Sequence, residues 1–431
     1  MRLIEGIPVF GEPEKGALEQ IKRCARTASH VALMADNHLG YAVPIGGVVA
    51  YESQVSPSGV GFDIACGTKA VRIDVPAGAI CTRIGVIMDD IVKHISFGMG
   101  RKNNVRVDHD LFDDPAWACQ AISPLKEMAR QQLGTVGGGN HYVDVFVEDG
   151  TEAVWVGVHF GSRGLGHKTA THFLKAAGAK DGIDVDPCVL PVDSDLGAQY
   201  IECMELGGRY AYAGRDWVCA EVARIIGANI VEEVHNHHNF AWKEKHAGQD
   251  LWVVRKGATP AFPGQKGFVG GTMGGISVIL EGVDHPDCAA SLYSTVHGAG
   301  RVLSRTAASG KTKRSSVWSC GQRGCDGELP IKTEKGPDGS NPKCPKCGSK
   351  THKFQKVQKI SDGLVDWGDC KTNMAFRGIE LRGAGADEAP QCYKNLADVL
   401  EAHGDSIKIL SVLRPIGVAM AGSEEVDPYR D

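Results

Sequence analysis

Short runs of β-branched and apolar residues in this chain stop repeatedly at clusters of glycine, and that punctuation restricts the fold more than any other feature. "IGGVVAYE", "TKAVRIDV", "AVWVGVHF" and "LWVVRKG" have the length and composition of strands. Between such runs, "EPEKGALEQIKRCARTA" and "RDWVCAEVARIIGANIVEEVHNHH" space their apolar residues as helices do. The pattern predicts a mixed α/β (α+β) fold, and 431 residues, 42% of them hydrophobic, are enough to bury a sizeable core. The turns "GTVGGGN", "GSRGLG" and "VGGTMGG" place glycines at strand ends, where backbone amides can come close to a phosphate or a ring. None of them fits the dinucleotide-binding or P-loop patterns, and no repeat of fixed period is present.

The opening "MRLIEGIPVFGEPEKG" lacks an unbroken apolar stretch, and "SIKILSVLRPIGVAMAG" is interrupted by Lys408 and Arg414, so neither export nor a membrane span is expected. In a long chain of this kind, 14 cysteines are expected to be reduced thiols and metal ligands, and the expected compartment is the cytoplasm.

The net charge of −5 conceals a segregated distribution. From Arg301 to Ile360 there are 14 Lys and Arg against four Asp and Glu, so this segment carries +10 and the remainder −15. Such a block suits either contact with a phosphate backbone or a solvated lysine-rich loop. Inside it, "CGQRGC" supplies Cys320 and Cys325, and "CPKC" supplies Cys344 and Cys347, with 18 residues between the pairs. Paired thiolates on tight turns joined by a hairpin are the usual frame of a closed tetrahedral Zn²⁺ site. The intervening "ELPIKTEKGPDGSNPK" is too polar to form a core, so a small zinc ribbon held together by its metal is expected. Four thiolates leave no position for water or substrate, which makes the expected role structural. The expected organisation is a catalytic domain over 1–310, a basic zinc-ribbon insertion over 311–360, and a return to the catalytic domain over 361–431.

Other possible ligands gather at four places. "GVGFDIACG" offers Asp63 and Cys66, "GGGNHYVDV" offers Asn140 and His141, and "VGVHFGSRG" puts His159 at a strand end. "EVHNHHNFA" offers His235, His237 and His238 at the end of the second expected helix. One carboxylate, one thiolate and three imidazoles are too many for a single catalytic ion with an open position. They suffice for two ions that share a bridging thiolate, an arrangement that can stabilise both oxygens of a phosphoryl transfer.

Taken together, "DNHLGYAVPIGGVVA", "SPSGVGFDIACG", "GGGNHYVDV", "HFGSRG", "HNFAWKE", "RKGATPA", "GGTMGG", "HGAGRVLSR" and "DEAPQCYK" occur in an order that resembles the RtcB family of tRNA-splicing and RNA-repair ligases. The resemblance runs from about Asp36 to Gly422. It implies a family-specific α/β fold around a deep cleft. It also implies a GTP- and Mn²⁺-dependent enzyme that joins an RNA 3′-phosphate or 2′,3′-cyclic phosphate to a 5′-hydroxyl through a covalent histidine–GMP. His297 would be the nucleophile, and Asp36 the carboxylate that fixes its tautomer. Cys66 would bridge two Mn²⁺ ions, with Asp63 and His141 on one and His159 and His238 on the other, His237 being the fallback. Asn140, Tyr142, Asp144, Thr272, Met273 and Gly274 would lie near the guanosine and phosphates. Gly298, Ala299 and Gly300 would leave room for the nucleotide beside His297, and Arg163, His167 and Arg301 could hold a substrate phosphate.

The chain departs from the family pattern in three respects. Ala421 stands where many members have a lysine that contacts guanine, and Asp144 where a glutamate is common. The ribbon is not a general family feature. A monomer acting on RNA ends or DNA ends, with GTP as nucleotide, is the leading expectation. A dinuclear metal phosphoesterase and a non-catalytic nucleic-acid-binding relative are the alternatives.

Overall fold

The computed structural model describes residues 1–180 and 182–423, with no side chain described at 314, 355 or 357. The final stretch of the expected 361–431 segment therefore lies outside the described residues. Its longest helix, Asp195–Ile226, opens at Ser194, whose hydroxyl accepts from the Gly197 amide at 3.1 Å, and closes at Gly227 with φ of 82°. There the amides of Gly227 and Ala228 both donate to the Ala223 carbonyl, at 2.9 and 3.0 Å. Glycine reaches this left-handed closure without the strain a Cβ would bring. The helix predicted through His238 is thus corrected: it ends at Ile226, and Ile230–His237 is a strand paired antiparallel with Gly67–Pro76.

The eight-stranded sheet runs Ile230–His237, Gly67–Pro76, Ala153–Phe160, Tyr142–Glu148, Ile407–Gly422, Ser277–Gly282, Lys266–Val269, with Glu380–Ala384 parallel to Ile407–Gly422. It curls nearly closed. Lys266 Nζ donates to Glu232 Oε1 at 2.7 Å and Thr68 Oγ1 to the Phe268 carbonyl at 2.8 Å, tying the two ends of the strand order together. The helix Asp195–Ile226 covers one face, burying Val218, Val222 and Ile226 with Val71, Val156 and Val158. Burial of such side chains contributes about 1.5–3 kcal/mol each.

A second sheet, of six strands, runs Arg2–Ile4, Ile7–Val9, His30–His38, Ile45–Tyr51, Gln249–Lys256, Asn239–His246. The chain leaves the first sheet at His237 and enters the second at Asn239, so His238 alone spans the crossing. The basic segment forms a separate three-stranded antiparallel sheet of Glu328–Pro330, Thr312–Cys320 and Thr351–Lys359. Its two legs meet where the Ile360 amide donates to the Lys311 carbonyl at 2.8 Å, and Leu364 and Val365 bond back to Ala307 and Ala308. Among the described residues no helix is long and apolar enough to cross a membrane.

His403, just before Ile407–Gly422, stacks on Phe10 at 4.3 Å and accepts from the Ala35 amide through Nε2. Burial pulls its pKa from the ordinary 6.5 to about 4. The unfolded chain therefore takes up this proton first as pH falls. Stability is expected to drop between about pH 6.5 and pH 4, this ring accounting for up to roughly 3 kcal/mol. In urea unfolding the wild type should lose more stability over that window than His403→Gln, and equal losses would show that the ring does not resist protonation.

Candidate functional site

Antiparallel pairing alternates strand starts and strand ends along one rim of a sheet. At one rim of the eight-stranded sheet, Cys66 precedes Gly67–Pro76, His159 lies near the end of Ala153–Phe160, His141 precedes Tyr142–Glu148 and His238 follows Ile230–His237. Register brings Thr68 and Tyr142 opposite His159, and Gly67 opposite His237. Cys66 Sγ stands 3.5 Å from His141 Nε2 and 3.3 Å from His159 Nε2. His159 Nε2 is 3.2 Å from His238 Nε2, and His141 Nε2 is 3.0 Å from Asp63 Oδ2. Cys66 thus belongs to two ligand-like groups, one with Asp63 and His141, the other with His159 and His238.

The tautomer of His159 follows from its other nitrogen. Nδ1 donates to the Asn140 carbonyl at 3.0 Å, which leaves the Nε2 lone pair aimed at Cys66 and His238. Two ring nitrogens 3.2 Å apart beside a thiol are a poor arrangement without a proton or a cation between them. Burial pushes the pKa values of His159 and His238 well below the ordinary value and that of the Cys66 thiol well above it. The donor set fits divalent cations: neutral imidazoles, a carboxylate, and a thiol that a cation would deprotonate.

His237 and His235 face elsewhere. Arg215, fully buried on the long helix, donates through Nη2 to His237 Nδ1 at 2.9 Å and through Nε to His235 Nε2 at 2.8 Å. Its Nη1 donates to the carbonyls of Ala65, at 3.1 Å, and Phe160, at 2.6 Å. Burial lowers the guanidinium to about 10, so it stays charged at neutral pH and keeps both rings neutral acceptors.

From the six-stranded sheet, Asp36 enters the same space. His297 follows the strand Ser294–Val296, and its Nδ1 donates to Asp36 Oδ2 at 2.6 Å. The amides of His297 and Gly298 donate to the same oxygen at 3.1 and 3.3 Å. Burial pushes Asp36 up, but the charge and hydrogen bonds of His297 outweigh it and hold the carboxyl below its usual range. Nε2 of His297 is left for the cavity, with the His238 ring 4.7 Å away, centroid to centroid. Lys394 Nζ donates to the carbonyls of Ala35 and Asn37, both at 2.9 Å, clamping the backbone on either side of Asp36. Gly300 is small for the same reason: φ is 77°, and a Cβ there would collide with the Asp36 carbonyl oxygen.

These groups line a cavity of about 810 Å³ that also takes in Asn140, Tyr142, Asp144, Thr272, Met273, Gly298, Ala299, Gly300 and Arg301. Asp144 Oδ1 and the Tyr142 hydroxyl are buried without a hydrogen-bond partner, and burial pushes the Asp144 carboxyl well up. Gly274 lies outside the lining, beside Met374 and Arg377. Arg163 and His167 also lie outside it. Arg163 donates to the Gly98 carbonyl at 3.0 Å and to Thr135 Oγ1 at 3.3 Å, while His167 stacks on Phe62 at 5.3 Å. Sequence reading assigns no role to Glu388, yet it receives Arg301 Nη1 and Arg305 Nε, each at 3.0 Å, and the Tyr393 hydroxyl. The stretch "DEAPQCYK", which holds Glu388, Tyr393 and Lys394, was the available signal for all three. In the inserted sheet the four cysteines converge, with Cys320 and Cys347 sulfurs 3.4 Å apart and those of Cys325 and Cys344 3.7 Å apart.

A family model described as tRNA-splicing ligase RtcB matches residues 17–121 and 116–325. The tRNA-splicing ligase RtcB of Thermococcus kodakarensis is 32% identical, with 64% of this chain and 73% of that protein covered. The protein of the same name from Archaeoglobus fulgidus is 29% identical over 94% of this chain and 91% of its own length. The RNA-splicing ligase RtcB of Escherichia coli K12 is 28% identical, over 70% and 81% respectively.

Replacing Arg215 by methionine would strand the Ala65 and Phe160 carbonyls and both imidazoles in the interior. The expected loss of stability in urea unfolding is on the order of 3 kcal/mol or more. A loss below about 1 kcal/mol, within the range of surface substitutions, would show that these hydrogen bonds do not hold the strand ends together.

Proposed function

This chain belongs to the RtcB family of tRNA-splicing ligases and is an RNA ligase on that ground, and we propose that it joins an RNA 3′-phosphate or 2′,3′-cyclic phosphate to a 5′-hydroxyl, using GTP and Mn²⁺, through a covalent GMP on His297. The observation that carries this reading is the 2.6 Å contact of Asp36 Oδ2 with His297 Nδ1, which leaves Nε2 available inside the cavity.

Asp36 fixes the proton on Nδ1, so Nε2 presents its lone pair to the α-phosphorus of GTP. The P–N bond forms as the bond to pyrophosphate breaks, and the carboxylate stabilises the positive charge that the ring acquires. An oxygen of the RNA 3′-phosphate then attacks the phosphorus of the adduct, returning the electron pair to Nε2. Finally the 5′-hydroxyl attacks the activated RNA phosphorus and GMP leaves. A cyclic phosphate is first opened by water to the 3′-phosphate. Asp63, Cys66 and His141, and Cys66, His159 and His238, would hold two ions, for which the resemblance implies manganese. Ions held there would supply charge to neutralise the triphosphate and ease the departure of pyrophosphate.

Guanine carries N–H donors on its Watson–Crick edge, and the unpartnered Asp144 Oδ1 is a matching acceptor that adenine would not satisfy as well. Arg301 and Arg305 share the single carboxylate of Glu388, which leaves a net positive charge at the cavity wall to meet a substrate phosphate. Cys320, Cys325, Cys344 and Cys347 would hold a structural Zn²⁺. The sulfur separations of 3.4 and 3.7 Å sit near the edge of a tetrahedron of Zn–S bonds, about 3.8 Å. Amides of Gln322 and Lys346 donate to the Cys320 and Cys344 sulfurs at 3.3 and 3.4 Å, and hydrogen bonds from Ser349 pull Cys347 down to about 6. At Cys320 burial and the neighbouring thiols outweigh the Gln322 amide and push the thiol up to about 12, so a cation would have to deprotonate it.

Incubation with GTP labelled at the α-phosphorus and Mn²⁺ should leave label on the protein, none on His297→Ala, and label that forms at least about a hundredfold more slowly on Asp36→Asn. Label that persists on His297→Ala would contradict the nucleophile, and phosphate release without labelling would favour a dinuclear phosphoesterase. ATP in place of GTP should label poorly. Elemental analysis of the purified protein should find about one zinc per chain, lost in Cys344→Ser. Zinc retained in that variant would rule out the four-cysteine site.

A further inference from the structure

The inserted sheet presents a face that the catalytic reading leaves without a task. Thr312–Cys320 and Thr351–Lys359 pair with Val317 opposite Phe354 and Ser315 opposite Lys356. Side chains alternate across a strand, so Lys313, Val317, His352, Phe354 and Lys356 share one face, and Trp318, Cys320 and Thr351, all buried, share the other. On the first face Phe354 is 48% exposed, flanked along its strand by exposed His352 and Lys356. An exposed phenylalanine alone is ordinary. Here it sits among cations, in a segment of +10 on a chain whose remainder carries −15. The acid on the face, Glu328, pairs with Lys356 at 2.8 Å in a solvent-exposed contact weak enough for a phosphate to compete for the lysine. One leg of the sheet follows the helix Arg305–Ser309, the other returns to it where Leu364 and Val365 bond to the Ala307 and Ala308 carbonyls, and Ser304 and Arg305 line the cavity, so the face is rooted at the cavity rim.

We propose that this face docks single-stranded RNA adjoining the end to be joined, with Phe354 stacking on a base and Lys313 and Lys356 neutralising phosphates. The proposal rests on the ligase reading and names the part of the substrate that the insertion holds. Stacking on an aromatic ring needs unpaired bases and tolerates any sequence, whereas lysines supply a salt-dependent attraction to the backbone.

Fluorescence anisotropy of the full-length, zinc-containing protein with a labelled 12-nucleotide single-stranded RNA bearing a 3′-phosphate tests it. Phe354→Ala should weaken binding about tenfold or more, and Phe354→Trp should restore it. Lys313→Gln combined with Lys356→Gln should reduce the slope of log affinity against log salt by about 1.4. A blunt RNA duplex should bind the wild type and Phe354→Ala alike. Unchanged single-strand affinity in Phe354→Ala, or an equal loss for the duplex, would overturn the proposal. Labelling by GTP without RNA reports on the ligase reading separately, because it is expected to be normal in Phe354→Ala. Its absence from the wild type would refute that reading while leaving the RNA-binding result to be judged alone.

Discussion

The guanidinium of Arg215 gathers the ends of three neighbouring strands. Its donors take the carbonyl before Cys66, the carbonyl after His159, and the rings of His235 and His237, from a side chain with no exposed surface. Such a burial is tolerable because most of the donors find acceptors, and because a neutral imidazole accepts without adding a second charge. The consequence for the rim is geometric. With Ala65 and Phe160 fixed, Cys66 and His159 have little freedom to part, and with His237 held toward the helix, the next residue along the chain, His238, turns to the opposite side and meets them. One cation thereby decides which histidine of three joins the cluster.

The second determinant is a contrast between two hydrogen bonds. His159 gives its Nδ1 proton to a backbone carbonyl, and His297 gives its own to a buried carboxylate that two amides also hold. A carbonyl dipole fixes a tautomer but offers little to a ring that turns cationic. A carboxylate does both. The rings lie on either side of His238, yet only the one facing Asp36 is equipped to carry a positive charge. Lys394, which clamps the carbonyls flanking Asp36, keeps that carboxylate from turning toward solvent.

What the sequence made legible was local. Asp63 and Cys66 lie three apart on one turn, glycines mark strand ends, and cysteine pairs have a spacing that metal sites require, so each can be recognised in a window of a few residues. Partnerships made by the sheets were not. Nothing near Arg215 in sequence hints that its acceptors come from Ala65 and Phe160, and Glu388 is joined to Arg301 only by folding. The false helix over Ile230–His237 has a plain cause: Ile230, Val231 and Val234 suit a helical face as well as a strand, and the left-handed Gly227 together with pairing to Gly67–Pro76 decides the outcome. Arg163 has a positive φ of 56° and donates to the Gly98 carbonyl and Thr135 Oγ1, contacts that no window of the sequence around it announces.

The inserted sheet inverts the usual relation between core and function. Its buried side chains, chiefly Trp318, Cys320, Cys344 and Thr351, are too few to offset the entropy of ordering some fifty residues at roughly 1–2 kcal/mol each. On the proposed four-thiolate site, a bound cation would join the hydrogen bonds of the neck in holding the insertion together. The neck ends in the helix that carries Arg305, and Arg305 shares Glu388 with Arg301 of the loop behind His297. Order in the insertion is thus connected through one carboxylate to the wall of the cavity, so a strand held on the outer sheet and a phosphate admitted beside His297 would act on the same pair of arginines.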